Sequence, residues 1–201
     1  LALLQAREKG KGSYQLYQPD PSVRMDELLH IEATLRQTLA QQKQELVFNF
    51  QPRISLYSGE ITSFEALVRW NSSELGLIQP GKFIPIAEAG GFIEKIDQWV
   101  MENACRQIFE WAAVGYQACL SINLSAGQFY NGGLLTALAK TMGKYNIRPW
   151  QLELEITESM VMQDFPRAAA TIRQLKNLGL SVALDDFGSG FSSLNLLQTL
   201  S

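Results

Sequence analysis

The sequence is poor in the residues that build sulfur or imidazole metal sites. Its 201 residues include two cysteines, Cys105 and Cys119, and one histidine, His30. The cysteines are too few and too far apart for a zinc motif or a disulfide framework, so we expect both to be core residues. His30 has no partner at metal-ligand spacing, and we expect it to lie on a helix as a surface residue or a hydrogen-bonded one.

Excess positive charge and long apolar runs are also absent. The 17 Lys and Arg are outnumbered by 20 Asp and Glu, and 46% of the residues are hydrophobic. A chain of this charge has no general field that attracts a nucleic acid polymer, but it can bury a sizeable core. No apolar segment approaches the roughly 20 residues of a membrane span, and no signal-peptide pattern begins the chain. We therefore expect a cytoplasmic globular protein, with any membrane attachment supplied by an upstream sensor.

The chain divides into a short N-terminal piece and one larger unit. Residues 1–17 are interrupted by glycines and are too short to fold alone, which predicts the tail of a preceding domain. Residues 18–24 contain two prolines and are predicted to be a linker. The larger unit, residues 25–201, begins with a predicted helix over Met25–Glu45, where leucines recur at helical spacing.

Strands and helices alternate in the larger unit. Strands are predicted at Leu46–Ile54, Ile61–Arg69, Cys119–Leu124, Leu152–Ile156 and Ser181–Leu184, and helices at Pro80–Glu88, Ile93–Ala113, Gly133–Tyr145 and Phe165–Leu178. This alternation predicts an α/β fold with a mainly parallel sheet. The first two strands are joined by a short turn around Gly59, which permits only antiparallel pairing. Five strands are few for a closed barrel.

The last predicted strand ends in two adjacent carboxylates, Asp185 and Asp186, before Phe187 and a glycine. Neighbouring anions repel each other, so a fold that keeps them at a strand end usually holds a cation there. An ordinary turn is the alternative, because Asp and Gly are common turn residues.

Other strands carry polar side chains on the face away from the helices. The period of two places Glu65 and Arg69 on one face of the second strand, and sets Asn123 and Glu155 apart from the apolar residues of their strands. Arg69 offers a forked donor for a phosphate oxygen. An ion pair between Arg69 and Glu65, four residues apart on that face, is the alternative.

The resulting candidate ligands are all oxygen donors: Glu65, Asn123, Glu155, Asp185 and Asp186. Such donors suit Mg²⁺ or Mn²⁺, and the four carboxylates are enough for two ions. Two ions of this kind activate water against a phosphodiester. Taken singly, Glu65, Asn123 and Glu155 fit an ordinary hydrogen-bonding role equally well.

An ordered series of motifs resembles the EAL domain, the bacterial cyclic di-GMP phosphodiesterase. The series comprises Gln51-Pro52, Glu65-Ala66-Leu67-Val68-Arg69-Trp70, Pro80 to Glu88, Ser121 to Ser125, Glu153 to Ser159 and Asp185 to Gly190. The resemblance spans residues 46–201. Less firmly, Lys9 to Tyr17 resembles the end of a GGDEF domain, the cyclase module often placed ahead of an EAL domain.

The resemblance implies a TIM-like (β/α) barrel with an antiparallel first strand, incomplete in this chain. It implies that Glu65, Asn123, Glu155 and Asp185 bind a first metal and that Asp185 and Asp186 reach a second. Among the other residues it assigns substrate contacts to Gln51, Leu67 and Arg69, and gives Glu158 the role of anchoring the Asp185 to Gly190 loop. A solvated residue at a helix start is the alternative reading of Glu158.

The implied reaction is hydrolysis of cyclic di-GMP to linear pGpG, with Glu65, Asp185 and Asp186 as catalytic residues. Mg²⁺ or Mn²⁺ would support it and Ca²⁺ would inhibit it. The implied partners are upstream GGDEF or sensor domains in the same chain and a second copy bound through the barrel, where the helix Ser192 to Leu200 is a dimer contact. The alternatives are a catalytically silent cyclic di-GMP receptor and a regulatory interaction module.

The family places a lysine, a glutamate and a glutamine after the point at which this sequence stops. We therefore predict that the chain is a fragment of a longer enzyme and that the isolated chain hydrolyses cyclic di-GMP poorly or not at all. Ser189 and Phe191 stand where the family more often has threonine and tyrosine, which are mild changes.

Overall fold

The computed structural model describes residues 21–186, with side chains from residue 25. Several predictions lie outside these residues: the GGDEF-like tail, residues 18–20 of the linker, the glycine loop after Asp186 and the helix Ser192 to Leu200. The linker prediction was wrong for residues 21–24, which form the start of a helix. The predictions below concern the described residues.

The described residues form seven α-helices, one 3₁₀ turn and six strands. The helices are α1 (Pro21–Ala40), α2 (Pro80–Ala89), α3 (Ile93–Ala113), α4 (Ala126–Phe129), α5 (Leu134–Tyr145), α6 (Glu158–Gln163) and α7 (Phe165–Asn177). The strands are β1 (Leu46–Ile54), β2 (Ile61–Ser72), β3 (Gly76–Ile78), β4 (Cys119–Asn123), β5 (Leu152–Thr157) and β6 (Ser181–Asp185). The 3₁₀ turn, Pro149–Gln151, precedes β5.

The structure differs from the predicted elements mainly in three short elements that were not predicted and in the bounds of the first helix. β3, α4 and α6 have three, four and six residues, too few for a periodic pattern to show. Helix α1 begins at Pro21 and ends at Ala40, whereas the prediction ran from Met25 to Glu45. Proline is favoured in the first turn of a helix, where its missing N–H is not needed. The early end leaves residues 41–45 as a turn, in which Gln42 adopts a positive φ of 50°.

The sheet is mixed, as the short first turn predicted. β1 pairs antiparallel with β2, and the strand order is β1-β2-β4-β5-β6 with the pairs from β2 onward parallel. β3 pairs antiparallel with the end of β2. The four parallel strands therefore end at one edge of the sheet.

The sheet is strongly curled. Three strand spacings separate β1 from β5, about 14 Å if the sheet were flat. Side chains stand roughly perpendicular to a sheet, so those of β1 and β5 would not meet across a flat one. Arg53 of β1 nevertheless donates a hydrogen bond of 2.6 Å to Glu153 of β5. The interior of a barrel-like sheet brings these strands together, in keeping with a TIM-like α/β fold.

The apolar core lies between the outer face of the sheet and the helices. Phe64 on β2 and Phe50 on β1 both pack on Trp111 of α3, with ring centroids 5.3 and 5.2 Å apart. These residues have the opposite parity to Glu65 and Gln51, which confirms that the polar side chains face away from the helices.

The rare residues of the sequence are structural. Cys105 is completely buried in α3, as predicted, and Cys119 is only partly buried at the start of β4. Burial raises the pKa of the Cys105 thiol to about 12, so it is unreactive. His30 is a surface residue, as expected, with its Nε2 3.1 Å from Glu74. No described helix combines the length and the hydropathy needed to cross a bilayer.

Candidate functional site

The sheet register places the predicted site residues in two successive levels of the interior. Gln51, Glu65, Ser121 and Glu153 are neighbours at one level, and Asn123 and Glu155 are paired at the next. Asp185 pairs with Thr157 above them, at the carboxyl ends of the parallel strands. The predicted residues from five strands therefore gather at one end of the sheet, where α/β barrels build their sites.

Glu155 is the most buried carboxylate of this group, with 3% of its surface exposed. Burial, together with the charges of Glu65 and Asp185, raises the pKa of Glu155 from 4.5 to about 7, although Arg53 opposes the increase. Glu65 and Asp185, from two other strands, are thus close enough to repel the Glu155 carboxylate.

Glu65 and Asn123 are joined across neighbouring strands at the more open part of the site. The Asn123 side-chain amide donates a hydrogen bond of 3.0 Å to Oε1 of Glu65. Glu65 is half-buried and Asn123 is exposed. The two side chains are therefore fixed to each other at an accessible part of the site.

Asp185 and Asp186 lie at the end of β6. Asp186 adopts a positive φ of 55°, and its backbone N–H donates 2.9 Å to Oδ1 of Asp185. Aspartate tolerates this left-handed conformation because its short side chain bonds locally to the backbone. The backbone bends at Asp186, and both Asp185 and Asp186 are exposed at the strand end.

Arg53 is a site residue that the sequence analysis missed. Its Nη1 donates to Glu153 (2.6 Å) and to Ser121 Oγ (3.0 Å), and its Nη2 donates to Oε1 of Glu155. The signal was present in the sequence, since Arg53 has the same strand parity as Gln51. Only the curl of the sheet shows that it meets residues of β4 and β5.

Arg69 lies near the end of β2, half-buried, on the same face as Glu65 and Leu67. The alternative ion pair with Glu65 is not formed among the described residues. Instead Nη1 of Arg69 donates 2.8 Å to the carbonyl oxygen of Val68. Gln51 is exposed and lies opposite Glu65 in the β1–β2 register.

Glu158 is the first residue of α6 and has only 2% of its surface exposed. This burial contradicts the alternative reading of a solvated residue at a helix start. Thr157 precedes it as the N-cap, accepting a hydrogen bond from the Met160 N–H. The partner predicted for Glu158, the loop after Asp185, lies beyond the described residues.

The donor chemistry of the site fits a hard divalent cation. The ligands are carboxylates and one amide, without sulfur or imidazole, and their mutual repulsion at Glu155 is what a cation would relieve. Within residues 21–186, no three acidic, histidine or cysteine side chains are yet close enough to share one ion. An ion would therefore be held by residues that draw closer around it.

A family model described as the EAL domain matches residues 32–201, most of the chain. The chain belongs to the EAL domain family. Family membership agrees with the α/β fold, the antiparallel β1 and the acidic end of the sheet.

The alignments with curated relatives include nearly all of this chain but only a minor part of each relative. It is 37% identical over 196 residues to cyclic di-GMP phosphodiesterase PdeR of Escherichia coli, covering 98% of this chain and 29% of PdeR. Bifunctional diguanylate cyclase/cyclic di-GMP phosphodiesterase MucR of Pseudomonas aeruginosa is 35% identical over 200 residues, with 99% and 29% covered. The chain thus spans about a third or less of these relatives.

Solved structures share the fold. The PaMucR phosphodiesterase in complex with c-di-GMP superposes with a TM-score of 0.79 at 38% identity, covering 87% of this chain and 69% of that one. The FimX EAL domain from Pseudomonas aeruginosa, bound to c-di-GMP, gives 0.76 at 27% identity, with 85% and 68% covered.

Proposed function

We propose that this EAL domain is the hydrolytic domain of a metal-dependent phosphodiesterase that opens cyclic di-GMP to linear pGpG. The observation that carries the proposal is the convergence of Glu65, Glu155 and Asp185 from three strands at the carboxyl end of the sheet. The names of PdeR and MucR, and the nucleotide in the PaMucR structure, support the choice of substrate.

Two cations, Mg²⁺ or Mn²⁺, are part of the proposal. Glu65, Asn123, Glu155 and Asp185 would hold the first, and Asp185 and Asp186 would hold the second. When bound, the pair would polarise the attacking water and a phosphoryl oxygen. Ca²⁺ would occupy the site without supporting turnover.

Residues around the acidic group would bind and orient the nucleotide. Arg69 would donate to a phosphate oxygen and stabilise the charge that develops there during in-line attack. Gln51 and Leu67 would line the groove that holds the dinucleotide. Glu158 would hold the loop that carries Asp185 and Asp186, which fixes the direction of both carboxylates.

The test is titration of cyclic di-GMP into the chain with Mg²⁺, Mn²⁺ or Ca²⁺, followed by chromatography of each mixture. The protein is kept in excess over the nucleotide so that slow turnover is visible. We expect linear pGpG with Mg²⁺ or Mn²⁺, and binding without product with Ca²⁺. Glu65→Gln should abolish product, whereas Glu110→Gln, on the exposed side of α3, should not. Absence of nucleotide binding in all three metals would contradict the proposal.

A cyclic di-GMP receptor without catalysis is the second candidate. The FimX EAL domain solved with c-di-GMP bound favours it. Binding without product in every metal would support this reading. Binding of a protein partner without nucleotide affinity would instead support a regulatory module.

The assembly around the domain is a further part of the proposal. We expect GGDEF or sensor domains upstream in the same protein and a homodimer formed through the barrel. Light scattering of the chain with and without nucleotide measures the oligomeric state directly.

A further inference from the structure

Arg53 ties three strands together beneath the acidic end of the site. It extends from β1, and its guanidinium reaches Ser121 on β4 and both Glu153 and Glu155 on β5. Ser121 Oγ in turn donates 2.7 Å to Oε1 of Glu153. The guanidinium is therefore held by a closed set of bonds rather than by one flexible ion pair.

The contact with Glu155 is specific to one oxygen. Nη2 of Arg53 bonds to Oε1 of Glu155, while Nη1 is committed to Glu153 and Ser121. A carboxylate fixed through one oxygen can rotate little about its terminal torsion, because rotation would break the bond. The direction of its second oxygen is thereby fixed as well.

The contact between Arg53 and Glu155 matters for the stability of the ionised carboxylate because Glu155 is buried. Glu155 is 3% exposed, and a buried carboxylate without a partner pays a large desolvation cost. Glu65 and Asp185 are close enough to repel it. Without the positive charge of Arg53, this repulsion would favour a rotamer of Glu155 that points away from Glu65 and Asp185.

We propose that Arg53 is a positioning residue that fixes the carboxylate of Glu155 in the orientation in which Glu155 binds a divalent cation. This inference rests on the proposed function, because it assumes that Glu155 is a metal ligand. Partners that orient a ligand from behind are commonly worth 10–100-fold in metal affinity. Arg53 itself touches neither cation nor substrate in this proposal.

The fork of the arginine is part of the inference. One guanidinium spans two carboxylates with separate nitrogens, which a lysine ammonium matches only as a point charge. Glu153 and Ser121 hold one end of the fork so that the other end meets Glu155. Glu153 is then a support for Arg53 rather than a metal ligand.

The experiment is calorimetric titration of Mn²⁺ into the full chain, without nucleotide, for the unaltered protein and Arg53→Met. We expect the Mn²⁺ affinity of R53M to fall at least about tenfold. The matched control is Arg106→Met, an exposed arginine on α3 whose nearest acid, Glu110, is 3.9 Å away. R106M should bind Mn²⁺ as the unaltered chain does.

Two milder variants test the same inference in case Arg53→Met does not fold. Glu153→Gln keeps the shape of the support but removes its charge, and should weaken Mn²⁺ binding several-fold. Arg53→Lys keeps the charge without the fork, and should fall between R53M and the unaltered chain. Circular dichroism and thermal unfolding identify the variants that fold, and only those are compared.

The outcomes separate this inference from the proposed function. If the unaltered chain takes up no Mn²⁺, the metal site is refuted and the positioning role with it. If the unaltered chain binds Mn²⁺ and the folded variants R53M and E153Q bind it equally well, the positioning role alone is refuted. A lower unfolding temperature at unchanged Mn²⁺ affinity would assign Arg53 a purely structural role.

Discussion

Asp97 is a buried carboxylate outside the candidate site, 7% exposed on the inner side of α3. It accepts a hydrogen bond of 2.5 Å from Ser125, the N-cap of α4. Burial raises its pKa to about 6 from 3.8, against the effect of the Ser125 bond and with help from Glu88 and Glu94. Its titration therefore affects the stability of the loop that follows Asn123.

We predict that Asp97 makes the folded state less stable as pH rises from about 4 to about 6. In this range the folded protein keeps a proton that the unfolded chain has released, so the free energy of unfolding falls by about 2–3 kcal/mol and then levels off. Asp97→Asn should remove this part of the slope and leave the part that belongs to Glu155, whose pKa is also raised, to about 7. Urea unfolding at half-unit pH steps measures it.

The control for this experiment is Glu110→Gln, which removes an exposed carboxylate from the same helix. Its stability should follow that of the unaltered chain at every pH. A slope as steep in D97N as in the unaltered chain would show that Asp97 does not titrate in this window.

Glu45 connects elements rather than serving the site. Its carboxylate accepts hydrogen bonds from Thr38 of α1 (2.7 Å), from the Trp70 indole of β2 (3.2 Å), and from the Ser73 hydroxyl (2.7 Å) and N–H (3.3 Å). Burial raises its pKa, but these bonds outweigh burial and bring the pKa to about 2. The tryptophan that ends the Glu65–Trp70 motif thus anchors α1 to the sheet.

We predict that Glu45→Gln lowers the free energy of unfolding by about 2–4 kcal/mol at pH 7, because an amide nitrogen cannot accept the bonds that a carboxylate oxygen accepts. Denaturant unfolding gives the value. Glu60→Gln, in the exposed β1–β2 turn, should change it by less than about 0.5 kcal/mol. An equally small effect at Glu45 would mean that these bonds contribute little net stability.

Two helices end in the same glycine motif but in different surroundings. Gly115 after α3 and Gly179 after α7 both have φ of 82°. In each case the following residue bonds back to the fifth residue before it, Tyr116 to Trp111 and Leu180 to Leu175. A Cβ at Gly115 would meet nothing within 4 Å, whereas one at Gly179 would lie 3.0 Å from Cβ of Pro149.

Substitution of Gly115 and of Gly179 by alanine distinguishes the cost of backbone strain from the cost of a steric clash. We predict that Gly115→Ala costs about 1–2 kcal/mol from the left-handed conformation alone, and that Gly179→Ala costs at least about 1 kcal/mol more from crowding against Pro149. Parallel urea titrations compare them. Equal losses would show that the turn before β5 yields to the added methyl group.

Metal binding is a property of the whole molecule, since the proposed ligands come from four strands. We predict that Mn²⁺ at 100 times its dissociation constant raises the free energy of unfolding by about 2.7 kcal/mol, because the unfolded chain does not assemble the site. Thermal unfolding with Mn²⁺, and after removal by EDTA, measures the shift. Glu155→Gln should abolish the shift, and Glu60→Gln should preserve it.

At the level of elements, sequence periodicity predicted most of the fold. The bounds of β1 and α3 match their predictions, and the short turn at Gly59 fixed the antiparallel direction of β1. The misses were β3, α4 and α6, which are shorter than the periods on which the prediction depends, and the ends of α1. At the end of α1, Glu45 contacts Trp70, which lies 25 residues further along the chain and has no part in the helical period.

The sequence by itself determined the alternation of strands and helices, the parity that turns Glu65, Asn123 and Glu155 away from the helices, and the resemblance to the EAL family. These are local properties, set by which residues recur at periods of two and 3.6. The tertiary structure alone decided that the sheet curls, that Arg53 meets Glu153 and Glu155 across the interior, and that Glu158 is buried. Such contacts depend on strand curvature and packing, which join residues about 100 positions apart and leave no periodic trace in the sequence.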